Sequence, residues 1–212
     1  GFDVQIDISK FKTYKLHGGY HLDTYNIDIE SAGFFDTFLA LIKLKKNVKE
    51  KSLLFDEQLI RLSGNEFVKG YFQTEKYFSS IREILLKQFT IKTELSDSTK
   101  EYSKAIHQHK NSCSLHIRRG DYITDEKANS VHGTCDLNYY AAAIKLISEK
   151  FENTHFFVFS DDISWSKENL QLENVTYIDH KTIPHEDMFL MSLCKHNITA
   201  NSSFSWWGAW LN

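Results

Sequence analysis

The second half of the chain alternates between short runs typical of strands and segments with helical periodicity. These runs are residues 112–117, which alternate between polar and apolar side chains, the short apolar run 154–159, and residues 175–178 and 197–200. Between the first two runs, Asp136 is placed to cap a helix with one apolar stripe. This order of strands and helices predicts a parallel sheet with right-handed crossovers, and such sheets bind ligands beyond the carboxyl ends of their strands.

Three polar clusters follow three of these predicted strands. They are residues 118–121, 160–162 and 201–205, rich in arginine, aspartate and serine respectively. Burying such groups together is costly unless they pair with one another or with a polar ligand. We therefore predict a site for a polar ligand at the carboxyl edge of the sheet.

The first cluster offers a positive anchor. On a strand, His116 and Arg118 point to one face while Arg119 points to the other. A guanidinium group holds two phosphate oxygens at once, so Arg118 can bind a phosphate while Arg119 pairs with an acid such as Asp121. A purely structural arginine–aspartate pair at the strand end is the alternative.

The second cluster contains two consecutive aspartates, Asp161 and Asp162. They can bind a divalent cation, accept hydrogen bonds from a base or ribose, or cap the next helix. No companion group of histidines, cysteines or carboxylates has the spacing of metal ligands, so we predict a site that is independent of metal.

The third cluster contains Ser202, Ser203 and Ser205 at the predicted start of an aromatic helix. Hydroxyls and free backbone N–H groups at a helix start form an anion site. The cluster lacks the glycines and lysine of a P-loop. An ordinary serine cap before an aromatic core helix is an equally good interpretation.

The composition fits a globular protein with one large domain or two small ones. The chain has 212 residues, of which 42% are hydrophobic and 25% charged, and a formal net charge of -3. This charge gives no general reason to bind nucleic acid. The three cysteines form no disulfide framework, and no apolar run approaches the roughly 18 residues of a membrane span. We expect a cytosolic protein.

The two ends of the sequence suggest that it is a fragment. It begins at Gly1 without an initiator methionine or a targeting segment, and it ends inside an apolar aromatic stretch.

The first half of the chain reads as mixed and rich in helix. Residues 78–89 have near-helical apolar spacing after a cap at Thr74, and residues 97–109 read as an exposed helix. The lysine-rich segment 43–51 reads as a solvated helix face or loop, with Glu50 diluting its charge.

The three clusters carry a family resemblance. The segments 116–122 (HIRRGDY), 159–162 (FSDD) and 201–210 (NSSFSWWGAW) resemble, in order and spacing, the bacterial alpha-1,2-fucosyltransferases of glycosyltransferase family 11. Weaker matches lie at 17–20 (HGGY) and 70–73 (GYFQ). The glycine-rich turn that opens the family's sequences and its last C-terminal helices have no counterpart here, which agrees with a fragment.

The resemblance implies an α/β protein with a two-domain, GT-B-like fold. Residues 111–212 would form a Rossmann-like parallel sheet that binds GDP-fucose, and residues 1–110 a partial, helix-rich domain on the acceptor side. The implied reaction moves L-fucose, with inversion and without metal, to the 2-hydroxyl of a terminal galactoside. A lipopolysaccharide or capsule precursor is the expected acceptor, and the expected location is the cytoplasm or, peripherally, the inner face of the membrane.

The resemblance also implies roles for individual residues. The implied donor-binding residues are His116, Arg118, Asp161, Asp162, Ser202, Ser203 and Ser205, with the arginine and serines at the pyrophosphate. For the base that takes the acceptor proton, Asp121 and Glu126 stay as alternatives. Related GDP-fucose enzymes place a glutamate eight positions after the phosphate arginine, and Glu126 has that offset from Arg118.

Two other functions stay as alternatives at this point. The first is a glycan-binding module without catalysis, which would use the aromatic C-terminal segment. The second is a metal-dependent phosphohydrolase that uses Asp161 and Asp162.

Overall fold

The structure is a computed structural model that describes residues 3–13, 19–42, 46–120, 133–179 and 183–212. The chain forms two compact units, Gly1–Lys92 and Thr93–Asn212. The second unit therefore begins before the helix at residues 97–108, which the sequence analysis grouped with the first half.

The first unit contains short elements. Its strands are β1 (Gln5–Ile6), β2 (Glu30–Ser31), β3 (Lys46–Lys49) and β4 (Glu66–Lys69), and its α-helices are α1 (Phe34–Leu41) and α2 (Arg82–Gln88). Strands β1 and β2 pair in parallel, as do β3 and β4. The helix predicted over residues 78–89 is shorter than expected, because Thr74 caps a separate 3-10 turn, Glu75–Tyr77.

The prediction for the lysine-rich segment is wrong in one respect. Its residues Lys46–Lys49 form strand β3, not a helix face or loop. Glu50 is 8% exposed and does not dilute the surface charge. Its Oε2 accepts hydrogen bonds from the main-chain N–H groups of Tyr71 (2.7 Å) and Phe72 (3.1 Å), so the carboxylate holds the 70–73 segment in place.

The second unit is a three-layer α/β arrangement. Its strands are β5 (Ser112–Ile117), β6 (His155–Ser160), β7 (Val175–Tyr177) and β8 (His196–Ile198). Its helices are α3 (Asp97–Gln108), α4 (Leu137–Lys150), α5 (Ile163–Asn169), α6 (Pro184–Leu193) and α7 (Ser203–Trp210). The four strands form one parallel sheet in the order β7-β6-β5-β8. All four predicted strands are present, with ends shifted by a few residues at most.

The sheet has an apolar core on each face. On one face, Leu115 and Ile117 of β5 pack with Tyr140 and Ile144 of α4. On the other face, residues of β6, α3 and α6 pack together, among them Phe157, Ile106 and Leu190. Helix α3 is amphipathic, as expected of an exposed helix with Tyr102 and Ile106 on one side, and that side is packed in this core, with Ile106 only 1% exposed. Burial on both faces explains why β6 reads as a short apolar run, whereas the equally buried β5 carries the polar residues Ser112, Ser114 and His116 on one face.

The strand order places a discontinuity between β5 and β8. In chain order within this unit, the strands are arranged third, second, first, fourth, which is the start of the doubly wound order. From β5 the chain continues to β6 and β7 on one side of β5. It then crosses to β8 on the other side of β5. Ligands of such sheets bind at the carboxyl edge where the order reverses, here between the ends of β5 and β8.

No helix in the described ranges combines the length and the apolar character of a membrane-spanning segment.

Candidate functional site

The three polar clusters lie along one edge of the sheet. Each follows a parallel strand at its carboxyl end, and the strands are neighbours in the order β6-β5-β8. The first cluster contacts the second directly, and His116, two residues before the first cluster, contacts the third. Arg118 after β5 reaches Asp161 after β6, and the ring of His116 in β5 lies 5.7 Å from the ring of Phe204 in α7. The convergence predicted from the sequence is therefore present in the fold.

Asp161 organises the main chain that follows β5. Its Oδ1 accepts a hydrogen bond from the main-chain N–H of Arg119 (2.9 Å), and its Oδ2 accepts one from Gly120 (3.0 Å). The Oδ2 atom also lies 3.2 Å from Nη1 of Arg118. A Cβ atom at Gly120 would lie only 2.7 Å from this oxygen, so glycine is what permits the approach. The Arg118 side chain is 24% exposed and so remains accessible at the edge.

Asp162 and Trp165 hold the second arginine. Asp162 caps α5, since its Oδ1 accepts a hydrogen bond from the main-chain N–H of Trp165 at 3.0 Å. Its Oδ2 lies 3.4 Å from Nε of Arg119. The Arg119 guanidinium also stacks on Trp165, 3.7 Å from the ring centroid. The sequence analysis expected an acid to pair with Arg119 and named Asp121 as an example; the described partner is Asp162.

His116 is a buried, neutral imidazole at the end of β5. The residue is 6% exposed, and its Nδ1 has no hydrogen-bond partner among the described residues. Burial, together with the nearby charge of Arg118, lowers the pKa of His116 from 6.5 to about 3. A buried polar atom without a partner is costly, so a ligand or an ordered water that hydrogen-bonds to Nδ1 would stabilise this site.

The serine cluster forms the turn into α7. Ser202 is the N-cap, and its Oγ accepts a hydrogen bond from the main-chain N–H of Phe204 at 3.3 Å. Ser203 is exposed at the first position of the helix. Ser205 is 2% exposed, and its hydroxyl donates within the turn to the carbonyl groups of Ala200 and Ser202. Ser202 and Ser203 are therefore the accessible hydroxyls at the positive end of this helix dipole.

The two base candidates, Asp121 and Glu126, lie outside the described residues, as do the weaker-motif residues His17 and Gly18. Within the described ranges, no group of three or more histidine, cysteine, aspartate or glutamate side chains is arranged to hold a metal ion. Independence of metal stays a prediction.

The arrangement suits a ligand with negative charge. An arginine that a carboxylate orients stands on one side of the β5–β8 discontinuity, and a capped helix start stands on the other. Guanidinium groups and helix N-termini both bind phosphate oxygens. A neutral imidazole between them adds a polar contact without adding charge.

Comparison with known proteins then decides the family. The sequence model described as Glycosyl transferase family 11 matches residues 36–212. This chain belongs to glycosyltransferase family 11. The resemblance seen in the three clusters is thereby confirmed.

Relatives of this family 11 chain include two bacterial proteins. The alpha-1,2-colitosyltransferase of Escherichia coli is 38% identical, over 98% of this chain and 77% of the relative. The O-antigen biosynthesis glycosyltransferase WbnK of Escherichia coli is 34% identical, over 91% of this chain and 65% of the relative. The chain thus spans about three quarters of the first relative and just under two thirds of the second.

A more distant relative is the galactoside alpha-(1,2)-fucosyltransferase 2 of Rattus norvegicus. It is 24% identical, over 73% of this chain and 47% of the relative. No solved structure matches the chain significantly.

Two residues beside this site of the family 11 chain, Tyr139 and Tyr140, were not predicted from the sequence. The apolar stripe expected on α4 assigned neither of them to the site. The Tyr139 hydroxyl donates to the carbonyl of Thr199 at 2.7 Å, and the Tyr140 hydroxyl is hydrogen-bonded to the main chain of Arg118. The available signal was the position of both hydroxyls at the N-terminal end of a crossover helix, which lies at the carboxyl edge of a parallel sheet.

Proposed function

We propose that this protein is an inverting glycosyltransferase that moves L-fucose from GDP-fucose to the 2-hydroxyl of a terminal galactoside without a metal ion. The observation that supports this most is the discontinuity between β5 and β8, with Arg118 on one side and the start of α7 on the other. Membership of family 11 and relatives named as alpha-1,2-colitosyl- and fucosyltransferases support the class of reaction. In the full-length protein, the two units would be the two domains of a GT-B fold.

The main requirement of the proposed reaction is that the negative charge on the diphosphate leaving group is stabilised. The bond between the sugar C1 and the β-phosphate oxygen breaks, and GDP leaves with the electron pair. The acceptor 2-oxygen attacks C1 from the opposite face and loses its proton to a base. Arg118 and the N–H groups at the start of α7 stabilise the charge that develops on the leaving group. Each well-placed donor of this kind contributes about 3–4 kcal/mol.

The remaining donor contacts follow from the same geometry. His116 presents a neutral ring whose Nδ1, without a hydrogen-bond partner among the described residues, suits a polar group of the donor. Asp161 and Asp162 hold Arg118 and Arg119, so in this proposal they act on the donor mainly through the two arginines. Direct contact of the two carboxylates with guanine or ribose stays a prediction.

The acceptor side of the proposal rests on the relatives. Because one relative is named for O-antigen biosynthesis, we propose a galactose-terminated precursor of lipopolysaccharide as the acceptor. Transfer to such a precursor would take place in the cytoplasm or peripherally at the inner face of the membrane. Asp121 and Glu126 remain the two candidates for the base that takes the acceptor proton.

A second donor is favoured by one observation, the name of the relative at 38% identity, which is a colitosyltransferase. Colitose is L-fucose without its 3-hydroxyl. A diphosphate site of the kind described does not distinguish the two sugars, so the choice depends on contacts to the 3-position.

The test uses the full-length protein with GDP-fucose or GDP-colitose and a panel of galactosides, and the new linkage is located by NMR. We expect an alpha-1,2 linkage and unchanged turnover in a chelator. Arg118→Ala should reduce turnover at least about a hundredfold. Arg61→Ala is the matched control, because Arg61 is an exposed arginine paired with Glu57 four residues away.

Three results would contradict parts of this proposal. Binding of galactosides without any effect of GDP, and without transfer, would identify a glycan-binding module. Loss of turnover in the chelator would contradict independence of metal. Retained activity in Arg118→Ala would remove this arginine from the reaction.

A further inference from the structure

Strands β5 and β8 separate before the carboxyl edge of the sheet is reached. The pairing of β5 with β8 ends at Leu115 and Ile198, whereas the pairing of β5 with β6 continues to Ile117 and Ser160. The two strands are therefore not paired beyond Leu115 and Ile198, and this unpaired stretch is called the gap between β5 and β8. It is the part of the sheet edge that the strand order singles out for a ligand.

Two consecutive tyrosines of α4 reach the two sides of this gap. Tyr139 donates a hydrogen bond to the carbonyl oxygen of Thr199 at 2.7 Å, and Thr199 is the first residue after β8. The Tyr140 hydroxyl is hydrogen-bonded to the main chain of Arg118, which is the first residue after β5. One turn of one helix is thus connected to the main chain just beyond both strands, at Thr199, which is level with His116, and at Arg118, two residues further along.

The turn of α4 that carries these tyrosines is itself fixed. Asp136 caps the helix, and its Oδ1 accepts a hydrogen bond from the main-chain N–H of Tyr139 at 2.8 Å. Tyr140 is 1% exposed within the core, and the two tyrosine rings meet edge to face at 5.1 Å. Because both hydroxyls extend from a rigid, capped helix start, the distance between the main-chain atoms they hold is fixed as well.

We propose that Tyr139 and Tyr140 set the width of the gap between β5 and β8 and so position both sides of the site for a nucleoside diphosphate. This inference rests on the proposed function. A diphosphate that bridges Arg118 and the start of α7 needs both at a fixed separation. Loss of either tyrosine hydroxyl frees one side, and the bridging phosphates then lose part of their contacts on that side. The tyrosines are positioning residues, since they act through main-chain atoms of Arg118 and Thr199.

The test measures GDP binding to the full-length protein by calorimetry in Tyr139→Phe and Tyr140→Phe. Removal of one hydrogen bond that positions the ligand should weaken the affinity for GDP about five- to tenfold. In turnover assays, KM for the sugar nucleotide should rise by a similar factor while KM for the galactoside stays unchanged. The phosphorus NMR signals of bound GDP should shift in both variants.

The matched control is Tyr102→Phe. The Tyr102 hydroxyl accepts a hydrogen bond from the main-chain N–H of Asp179 at 3.4 Å, after β7 at the far edge of the sheet. This variant also loses a tyrosine hydroxyl, but at a strand end that does not border the gap. The free energy of unfolding should therefore fall somewhat, and GDP affinity should stay as in the wild type.

The possible outcomes separate the two proposals. If the wild-type protein does not bind GDP, the proposed function fails. If it binds GDP and Tyr139→Phe binds equally well, the inference about the tyrosines is overturned while the proposed function stands. Tyr139 is 41% exposed, so this variant decides the matter even if Tyr140→Phe fails to fold.

Discussion

The guanidinium carbon of Arg119 lies over the indole ring of Trp165, 3.7 Å from the ring centroid. The Nε atom of Arg119 also pairs with Asp162 at 3.4 Å. The preceding residue, Arg118, instead pairs with Asp161 at 3.2 Å. Consecutive arginines on a strand end point to opposite faces, so each meets its own carboxylate. This difference in partners predicts that Arg119 stabilises the fold and that Arg118 binds the ligand.

Replacement of each arginine by lysine tests this division of roles. Lysine keeps the charge but loses the planar group that stacks and binds two oxygens. Arg119→Lys should lower the free energy of unfolding by about 1–2 kcal/mol and leave GDP affinity within about twofold. Arg118→Lys should weaken GDP affinity at least about tenfold with a smaller effect on stability. Urea unfolding and calorimetry measure the two quantities, and equal GDP losses in both variants would contradict the assignment.

Gly120→Ala should disturb the site through Asp161. The added Cβ would lie 2.7 Å from Oδ2, the oxygen that also faces Arg118. The carboxylate must move, so we expect a loss of about 1–3 kcal/mol in stability together with weaker GDP binding. Gly33→Ala is the control, because its Cβ would meet its nearest neighbour at an ordinary 3.6 Å. Wild-type stability and affinity in Gly120→Ala would show that Asp161 does not position Arg118.

The buried carboxylate of Glu186 on α6 is hydrogen-bonded to residues at the start of α3. Glu186 is 2% exposed, and it accepts hydrogen bonds from the main-chain N–H and hydroxyl of Ser96 and from the hydroxyl of Thr99. Burial raises the pKa of Glu186, but these hydrogen bonds outweigh burial and lower it. The group is therefore charged at neutral pH and satisfied by hydroxyl and amide donors.

Glu186→Gln should destabilise the protein by about 2 kcal/mol, since the glutamine amide brings donors to a position surrounded by donors. Thermal unfolding measures the loss. Glu168→Gln, at an exposed position on α5, should behave like the wild type. A neutral effect of Glu186→Gln would mean that the connection between α3 and α6 depends on packing alone.

The sequence predicted the sheet unit well because its strands are short alternating or apolar runs that end in polar clusters. Residues 156–159 of β6 are buried, and an apolar run of this length between polar ends favours a central strand. The polar clusters were predictable for the same reason, since topology alone brings the carboxyl ends of parallel strands together.

The first unit was less predictable. Lys46–Lys49 has no apolar alternation that marks a strand, and it becomes one by pairing with Glu66–Lys69. The partners of Asp161 were equally unpredictable from the sequence. The main-chain N–H groups that donate to its carboxylate lie 42 and 41 residues earlier in the chain. Side-chain pairing across strands depends on register, which composition and spacing do not determine.

Three partly or fully buried histidines make the free energy of unfolding depend on pH. Burial lowers the pKa of His116 to about 3, and the charge of Arg118 adds to the effect. Burial and the stacked ring of His109, 3.9 Å away, lower the pKa of His155. Burial and Lys150 lower the pKa of His196. Each histidine therefore favours the neutral form in the folded protein and takes up protons near pH 6.5 when the chain unfolds.

The free energy of unfolding should therefore be nearly constant between about pH 7 and pH 8 and decrease as the pH falls below about 6.5. Below that value the unfolded chain binds protons that the folded chain does not. His116 alone accounts for about 1.4 kcal/mol per pH unit between its unfolded and folded pKa. Urea unfolding between pH 5 and pH 8 measures the slope, which should become smaller in His155→Gln. A stability that rises on acidification over this range would contradict the neutral state of these rings.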